Sequence, residues 1–257
     1  MNVNLDQQDI VIVADGTFLP HEIIQEMSQN KVIIALDAAA DKLARLGIYP
    51  HLLLGDLDAS DAAHASFWGI QQTFADIHDG SEPYLGHHNV TIVPQKNQQL
   101  TDLVKAIRYC DEHHAKSITL ICATGGRLDH HEAALRSLRS EYKSERPLVL
   151  HTEQQSVCLA KDESLTIQGE IGDKCAILAY PQATLTSQGL MYDVADYKLI
   201  FGFSESIANS LSAPTATISI EGEALVIMPP QFASQREFMR KTEVKQLGVL
   251  LREAGKR

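Results

Sequence analysis

The 257-residue sequence lacks several features that mark common classes of protein. Its apolar runs, such as residues 32–36, are far shorter than the roughly 20 residues that a membrane-spanning helix needs. The N-terminus has no basic segment followed by a long apolar one, so no signal peptide is predicted. The four cysteines contain no Cys-x-x-Cys pair. We therefore expect buried thiols in a cytoplasmic protein with no membrane partner.

Positive charge is also scarce. The chain has 22 Lys and Arg residues against 33 Asp and Glu residues, which gives a formal net charge of −11. Broad binding to the phosphate backbone of a nucleic acid needs a basic surface, so we expect no nucleic-acid partner. A phosphorylated ligand would need a local positive group or a metal ion on such an acidic protein.

Residues 1–150 repeat one pattern, in which a short apolar run is followed by a polar turn and a helix-like stretch. The apolar runs are residues 10–14, 31–35, 51–54, 90–93, 117–122 and 147–150. Runs of four to six residues without alternation suit strands that are buried on both faces, as in a parallel sheet covered by helices. The pattern predicts an N-terminal Rossmann-like parallel α/β domain with ligands at the carboxyl ends of its strands. The stretch 71–89 interrupts it and predicts a long loop or hairpin.

The pattern changes in residues 151–257. Seven short β-rich runs follow one another with no room for helices, and turn residues such as Lys161-Asp162 and Glu221-Gly222 separate them. Such spacing predicts an antiparallel β-sandwich. Residues 231–257 place apolar side chains among basic ones, which predicts a terminal helix.

Acidic turns follow several of the predicted strands. Asp37 follows one run, Asp56 and Asp58 follow the next, and Asp102 begins a later helix after Thr101. Asp56 and Asp58 are two residues apart, and two residues of extended chain span about 6.6 Å. Carboxylates at that separation repel by roughly 2.5 kcal/mol at an effective dielectric constant of about 20. Mg²⁺ would relieve this repulsion, since it binds one or two carboxylates and substrate phosphates. Solvated turns and helix caps are the alternative interpretation.

A glycine-rich turn lies after the run 117–122. Gly125 and Gly126 let backbone amides approach an anion closely, and a helix N-terminus follows. Arg127 is a bidentate donor for phosphate, and Asp129 would orient it or bind a cation. The alternative is an ordinary strand-to-helix turn with a surface Arg–Asp pair. The Gly-Lys-Ser/Thr of a Walker A motif is missing.

These motifs, taken in order along the chain, resemble the thiamine pyrophosphokinase family. The matching stretches are Asp37, Gly-Asp-Leu-Asp at 55–58, Gln-Gln-Leu-Thr-Asp at 98–102, Gly-Gly-Arg-Leu-Asp-His at 125–130, Gln-Gly-Leu-Met-Tyr at 188–192 and the segment 202–209. Each motif is short, but the set covers about residues 10–228.

The resemblance implies a homodimeric enzyme that transfers diphosphate from ATP to thiamine with Mg²⁺, built from an α/β domain and a β-sandwich. It implies catalytic roles for Asp37, Asp56, Asp58 and Asp102, with Mg²⁺ held by the last three. The ATP side would contain Thr101, Gly125, Gly126, Arg127 and Asp129, and the thiamine side Gln98, Tyr192, Ser206 and Asn209.

The chain departs from the family pattern at five positions: Ala38, Ala39, Gln99, Ala134 and Ala208. The metal carboxylates are all kept. Two other functions stay open at this point. One is a diphosphokinase for another hydroxymethyl heterocycle, such as a pterin, and the other is a protein that binds a nucleotide or thiamine diphosphate without catalysis.

Overall fold

The computed structural model describes residues 3–57, 62–71 and 81–230. The chain divides into two compact units, Met1–Glu153 and Gln154–Arg257. The predicted terminal helix at 231–257 and part of the predicted excursion at 71–89 lie outside the described residues. No helix in the described part of the chain is long and apolar enough to cross a membrane.

The first unit is organised around short strands whose side chains are mostly buried. They are β1 (Asp9–Val13), β2 (Val32–Leu36), β3 (Leu52–Gly55), β4 (Tyr84–Leu85), β5 (Thr91–Pro94), β6 (Ser117–Ile121) and β7 (Leu148–His151). Their order across the sheet is β7-β6-β1-β2-β3-β5-β4. Only the pairing of β4 with β5 is antiparallel among these described strands, and the others pair in parallel.

Five α-helices and a short 3-10 helix, His87–Asn89, accompany these strands in the described part of the unit. The α-helices are α1 (His21–Ser28), α2 (Ala39–Arg45), α3 (Ala62–Trp68), α4 (Asp102–Glu112) and α5 (Leu128–Ser140). The predicted apolar stripe of α4 is buried at Leu103, Ile107 and Cys110. The sheet builds outward from β1 through β2, β3 and β5, and then β6 returns to the other side of β1. The crevice beside β1 is therefore a topological switch point, where ligands bind in open sheets of this type.

The second unit is antiparallel. Its strands are β8 (Ser156–Gln168), β9 (Lys174–Gln188), β10 (Tyr197–Ile200), β11 (Ser206–Ser210) and β12 (Thr215–Met228). They pair in the order β10-β9-β12-β8, and β11 also pairs with β9. The described part of the chain therefore combines parallel strands, antiparallel strands and helices, which confirms the coarser part of the predicted fold class.

Three long strands replace six of the short runs that the sequence predicts. β8, β9 and β12 each join two of those runs, and the predicted turns at 161–162 and 221–222 lie inside strands. Gly222 has a φ of +97° and Asp162 a φ of +49°, and the Gly222 N–H donates to the Asp162 carboxylate at 2.9 Å. The register shifts beside Gly222. Turn residues at a β-bulge bend the ladder without ending it, so the prediction of separate strands was wrong.

Candidate active site

A cleft of about 520 Å³ opens in the first unit at the carboxyl ends of its parallel strands. Its walls come from the segments that follow β1, β2, β3 and β6 and from the first turns of α4 and α5. The lining residues are Ala14, Asp15, Gly16, Leu36, Asp37, Ala38, Asp56, Thr101, Asp102, Leu103, Ala123, Gly125, Gly126, Arg127, His130, Ala133 and Ala134. The cleft is therefore at the edge of the sheet where the sequence predicts a ligand.

Three of the predicted acidic residues meet in this cleft. Asp37 follows β2, Asp56 follows β3 and Asp102 is the first residue of α4, and one carboxylate oxygen from each lies within 4.8 Å of the other two. We call these residues the aspartate cluster. Asp58, the fourth predicted acid, lies outside the described residues.

Backbone geometry sets the position of Asp37. Its φ is +41°, a left-handed conformation that side chains other than glycine rarely adopt. Gly55 lies against the carboxylate, since a Cβ atom on Gly55 would lie 2.0 Å from Asp37 Oδ1. Only glycine permits this approach, so the last residue of β3 is part of what places the Asp37 carboxylate in the cluster.

Two further side chains bind the aspartate cluster. Gln98 donates an amide hydrogen bond to Asp56 Oδ2 at 2.5 Å. Lys105 is buried, and its ammonium donates to Asp102 Oδ1 at 2.8 Å and to the Gln95 carbonyl at 3.1 Å. It also lies 4.0 Å from Asp56 Oδ2. Lys105 is not among the residues that the sequence predicts for the site; the available signal is its position three residues after Asp102, among the buried positions of α4.

The aspartate cluster has the donor set of a divalent-cation site. Its ligands are hard carboxylate oxygens, which suit Mg²⁺, Mn²⁺ or Ca²⁺. Opposite oxygens around an octahedral Mg²⁺ are about 4.2 Å apart, twice the usual bond length of about 2.1 Å. Pairwise distances within 4.8 Å bring all three oxygens within reach of one ion after small adjustments. The residues present therefore fit a metal ion.

The glycine-rich turn forms another wall of the cleft. Gly125 has a φ of +78° and Gly126 a φ of +67°. A Cβ atom on Gly125 would lie 2.0 Å from Thr17 Oγ1, so this turn packs closely on the segment after β1. That segment includes Asp15 and Gly16, which are not among the predicted site residues. Their signal in the sequence is an acidic turn after an apolar run, like those at Asp37 and Asp56.

Arg127 and Asp129 form an exposed ion pair. Arg127 donates from Nε at 3.1 Å and from Nη2 at 2.6 Å to the two carboxylate oxygens of Asp129. These hydrogen bonds hold the pKa of the Asp129 carboxyl below its usual value. Of the two residues, Arg127 lines the cleft. Thr101 also lines it, and its hydroxyl caps α4 by accepting from the Val104 N–H at 3.3 Å.

The predicted thiamine-side residues fall into two groups. Gln98 belongs to the first unit, whereas Tyr192, Ser206 and Asn209 belong to the second. Asn209 is buried and ties its group together, donating from Nδ2 to the Tyr192 carbonyl at 3.1 Å and to Ser206 Oγ at 3.4 Å. Its Oδ1 accepts from the Tyr192 N–H at 3.2 Å. Tyr192 as a whole is 70% exposed.

Two family models match the chain. The model described as thiamin pyrophosphokinase, catalytic domain, matches residues 23–150, and the model described as thiamin pyrophosphokinase, vitamin B1 binding domain, matches residues 162–225. Together these regions cover most of the chain. No curated protein sequence matches it significantly.

Solved structures share the fold. Thiamine pyrophosphokinase from Bacillus subtilis superposes with a TM-score of 0.70 at 21% identity, over 87% of this chain and 100% of the other. The enzyme from Candida albicans gives a TM-score of 0.69 at 15% identity, over 86% of this chain and 90% of the other. Yeast thiamin pyrophosphokinase gives a TM-score of 0.66 at 15% identity, over 95% of this chain and 89% of the other.

Proposed function

The chain belongs to the thiamin pyrophosphokinase family of enzymes, which make thiamine diphosphate by pyrophosphoryl transfer, and we propose that it transfers diphosphate from ATP to the hydroxyl of thiamine. On this proposal its first unit is a Rossmann-like nucleotide-binding domain and its second a thiamine-binding β-sandwich. The match of the vitamin B1 binding model to the second unit supports thiamine as the acceptor.

The proposed reaction is a direct in-line displacement. The thiamine hydroxyl oxygen forms a bond to the β-phosphorus of ATP, the bond from that phosphorus to the oxygen bridging the α-phosphate breaks, and AMP leaves. The hydroxyl proton passes to a nearby base. Reactions of this kind depend on positioning and charge neutralisation more than on covalent chemistry. A cleft in a protein of net charge −11 therefore needs cationic groups around the polyphosphate.

Asp37, Asp56 and Asp102 would hold Mg²⁺ in the cleft, together with Asp58, for which the sequence alone argues. When bound, the ion supplies positive charge to the polyphosphate. Gln98 and Lys105 orient Asp56 and Asp102 by binding one oxygen of each.

The glycine-rich wall of the cleft has features that suit a phosphate. The positive φ values of Gly125 and Gly126 turn the backbone sharply before α5, whose N-terminus carries a partial positive charge. Arg127 lines the same wall and provides a guanidinium. We assign these residues, with Thr101 and Asp129, to ATP.

We assign Tyr192, Ser206 and Asn209 to the thiamine side. The exposed ring of Tyr192 is suited to stacking on a heterocycle, and the buried Asn209 holds its backbone in place. The second unit also exposes large apolar side chains, including Phe203 at 86% and Ile207 at 66%. Exposed apolar surface of this kind marks association sites and supports a homodimer.

The single observation that carries the proposal is the meeting of Asp37, Asp56 and Asp102 at the switch point of a sheet in this enzyme family. The test is an assay of AMP release with ATP, Mg²⁺ and thiamine. We expect activity in the wild type and a loss of orders of magnitude in Asp56→Asn, with little change in thermal stability. Asp6→Asn, an exposed site outside the cleft, is the matched control.

The same assay identifies the acceptor. Thiamine and a hydroxymethyl pterin are compared at equal concentrations, and we expect transfer to thiamine. Transfer to the pterin alone would reassign the substrate, and ATP binding without AMP release would contradict the proposed reaction.

A further inference from the structure

A buried lysine, Lys105, lies beside the aspartate cluster. Its side chain is 3% exposed. Burial of an isolated ammonium group is very unfavourable, so a buried lysine is found where its charge is paired and its donors are used. The hydrogen bonds of Lys105 go to Asp102 Oδ1 and to the Gln95 carbonyl, and Asp56 Oδ2 lies 4.0 Å away.

This arrangement lowers the negative charge of the cluster. The ammonium of Lys105 offsets one of the negative charges that Asp37, Asp56 and Asp102 carry when ionised, so less positive charge is left for a bound cation to supply. Lys105 also binds one carboxylate oxygen of Asp102, and Gln98 binds one carboxylate oxygen of Asp56. Because the two oxygens of a carboxylate are fixed relative to each other, a hydrogen bond to one oxygen also orients the other.

We propose that Lys105 is a resident counter-ion of the aspartate cluster, which holds Asp56 and Asp102 together before a metal binds and lowers the negative charge that the bound cation has to balance. This inference rests on the proposed metal site. It makes Lys105 a positioning residue, because it acts through the carboxylates.

Removal of the charge of Lys105 has two consequences that a purely structural lysine would not have. The carboxylates repel one another more strongly in the metal-free protein, so its melting temperature falls and added Mg²⁺ restores it. The cluster also attracts a cation more strongly, and a trivalent ion gains more than a divalent one because Coulomb energy grows with charge.

The experiment measures metal binding without ATP or thiamine. Lys105→Met keeps an unbranched side chain of similar length, and Lys105→Gln keeps a polar donor without the charge. The matched control is Lys116→Met, which removes a surface charge that pairs with Asp9 at 3.3 Å. The loss of the paramagnetic resonance signal of free Mn²⁺ measures Mn²⁺ binding, and luminescence measures Tb³⁺ binding. The melting temperature is measured once with a chelator and once with Mg²⁺.

For both Lys105 variants we expect about tenfold tighter Mn²⁺ binding, a larger gain for Tb³⁺, and a larger rise of melting temperature on addition of Mg²⁺. Lys116→Met should behave as the wild type. Unchanged or weaker Mn²⁺ binding in a folded variant would overturn the role of Lys105, as would failure of both variants to fold even with Mg²⁺. If the wild type binds no Mn²⁺, the metal site of the proposed function fails instead.

Discussion

The cleft of the first unit has two polar walls that are built in different ways. On one side the aspartate cluster is held by the buried Lys105, by Gln98 and by the close contact of Gly55 with Asp37. In the other wall Arg127 lines the cleft and binds Asp129 at the surface, with side chains 73% and 64% exposed. The first wall is held by several contacts within the protein, whereas the arginine of the second is held by one exposed ion pair. Substitutions in the two walls should therefore differ in size and in kind.

Equivalent substitutions of Asp by Asn, one in the aspartate cluster and one in the ion-pair partner of Arg127, give the largest expected difference. Asp102→Asn removes one carboxylate of the aspartate cluster and the ion pair with Lys105, and we expect AMP formation to fall by about 10³-fold. Asp129→Asn removes an exposed carboxylate, and the loss should stay below about tenfold. Steady-state assays of both variants measure the difference, and equal losses would contradict the distinction between the walls.

A methyl group at residue 55 should also damage the wall that contains the aspartate cluster. The Cβ atom of Gly55→Ala would lie 2.0 Å from Asp37 Oδ1, so the carboxylate has to move. A displacement of about 1 Å in a reacting site costs around 10²-fold in rate, and we expect a loss of that order together with weaker Mn²⁺ binding.

A double-mutant cycle with Asp37→Ala tests the cause. If Gly55→Ala acts through Asp37, the double variant should be no less active than Asp37→Ala alone. Additive losses would show that Gly55→Ala acts elsewhere.

A substitution of Arg127 in the exposed wall should change the KM for ATP. Arg127→Ala removes a phosphate donor that contributes nothing to the core, so we expect about a tenfold higher KM for ATP and an unchanged melting temperature. Arg136→Ala, which breaks an exposed pair with Glu132 on the same helix, is the matched control. A fall in kcat with no change in KM would contradict the assignment of Arg127 to ATP binding.

The smallest expected effect is on the titration of Asp129. Its pKa is lowered by the hydrogen bonds from Arg127, so its contribution to stability is present above the unfolded-state pKa and is lost as the pH falls through the lower folded-state value. In Arg127→Ala the pKa should rise toward its usual value. Carboxyl chemical shifts followed by NMR measure it, and a pKa equal to that of the wild type would exclude Arg127 as the cause.

The sequence predicts the strands of the first unit and the meeting of three of its aspartates because both depend on local patterns. Short apolar runs in the first unit are strands of a parallel sheet, and acids that follow parallel strands reach the same edge. Asp37, Asp56 and Asp102 meet there for that reason. The family motifs imply roles that spacing alone leaves open, and those roles stay predictions.

Other features depend on contacts between distant segments, which a local pattern does not show. The contact of Gly55 with Asp37 joins the end of β3 to the segment after β2, and the burial of Lys105 depends on the direction in which α4 packs. In the second unit, Asp162 and Gly222 have the composition of turns but form a bulge because partners across the ladder keep the strands paired. Asn209 shows its anchoring role only when Tyr192 lies beside it.

The decisive measurement of the metal site is a crystal structure of the protein with Mn²⁺ and a non-hydrolysable ATP analogue. We expect an anomalous difference peak for a Mn²⁺ ion whose ligands are carboxylate oxygens of Asp37, Asp56 and Asp102 and phosphate oxygens of the analogue, at metal–oxygen distances of about 2.2 Å. A Mn²⁺ ion bound to the analogue with no ligand from these three aspartates would contradict it.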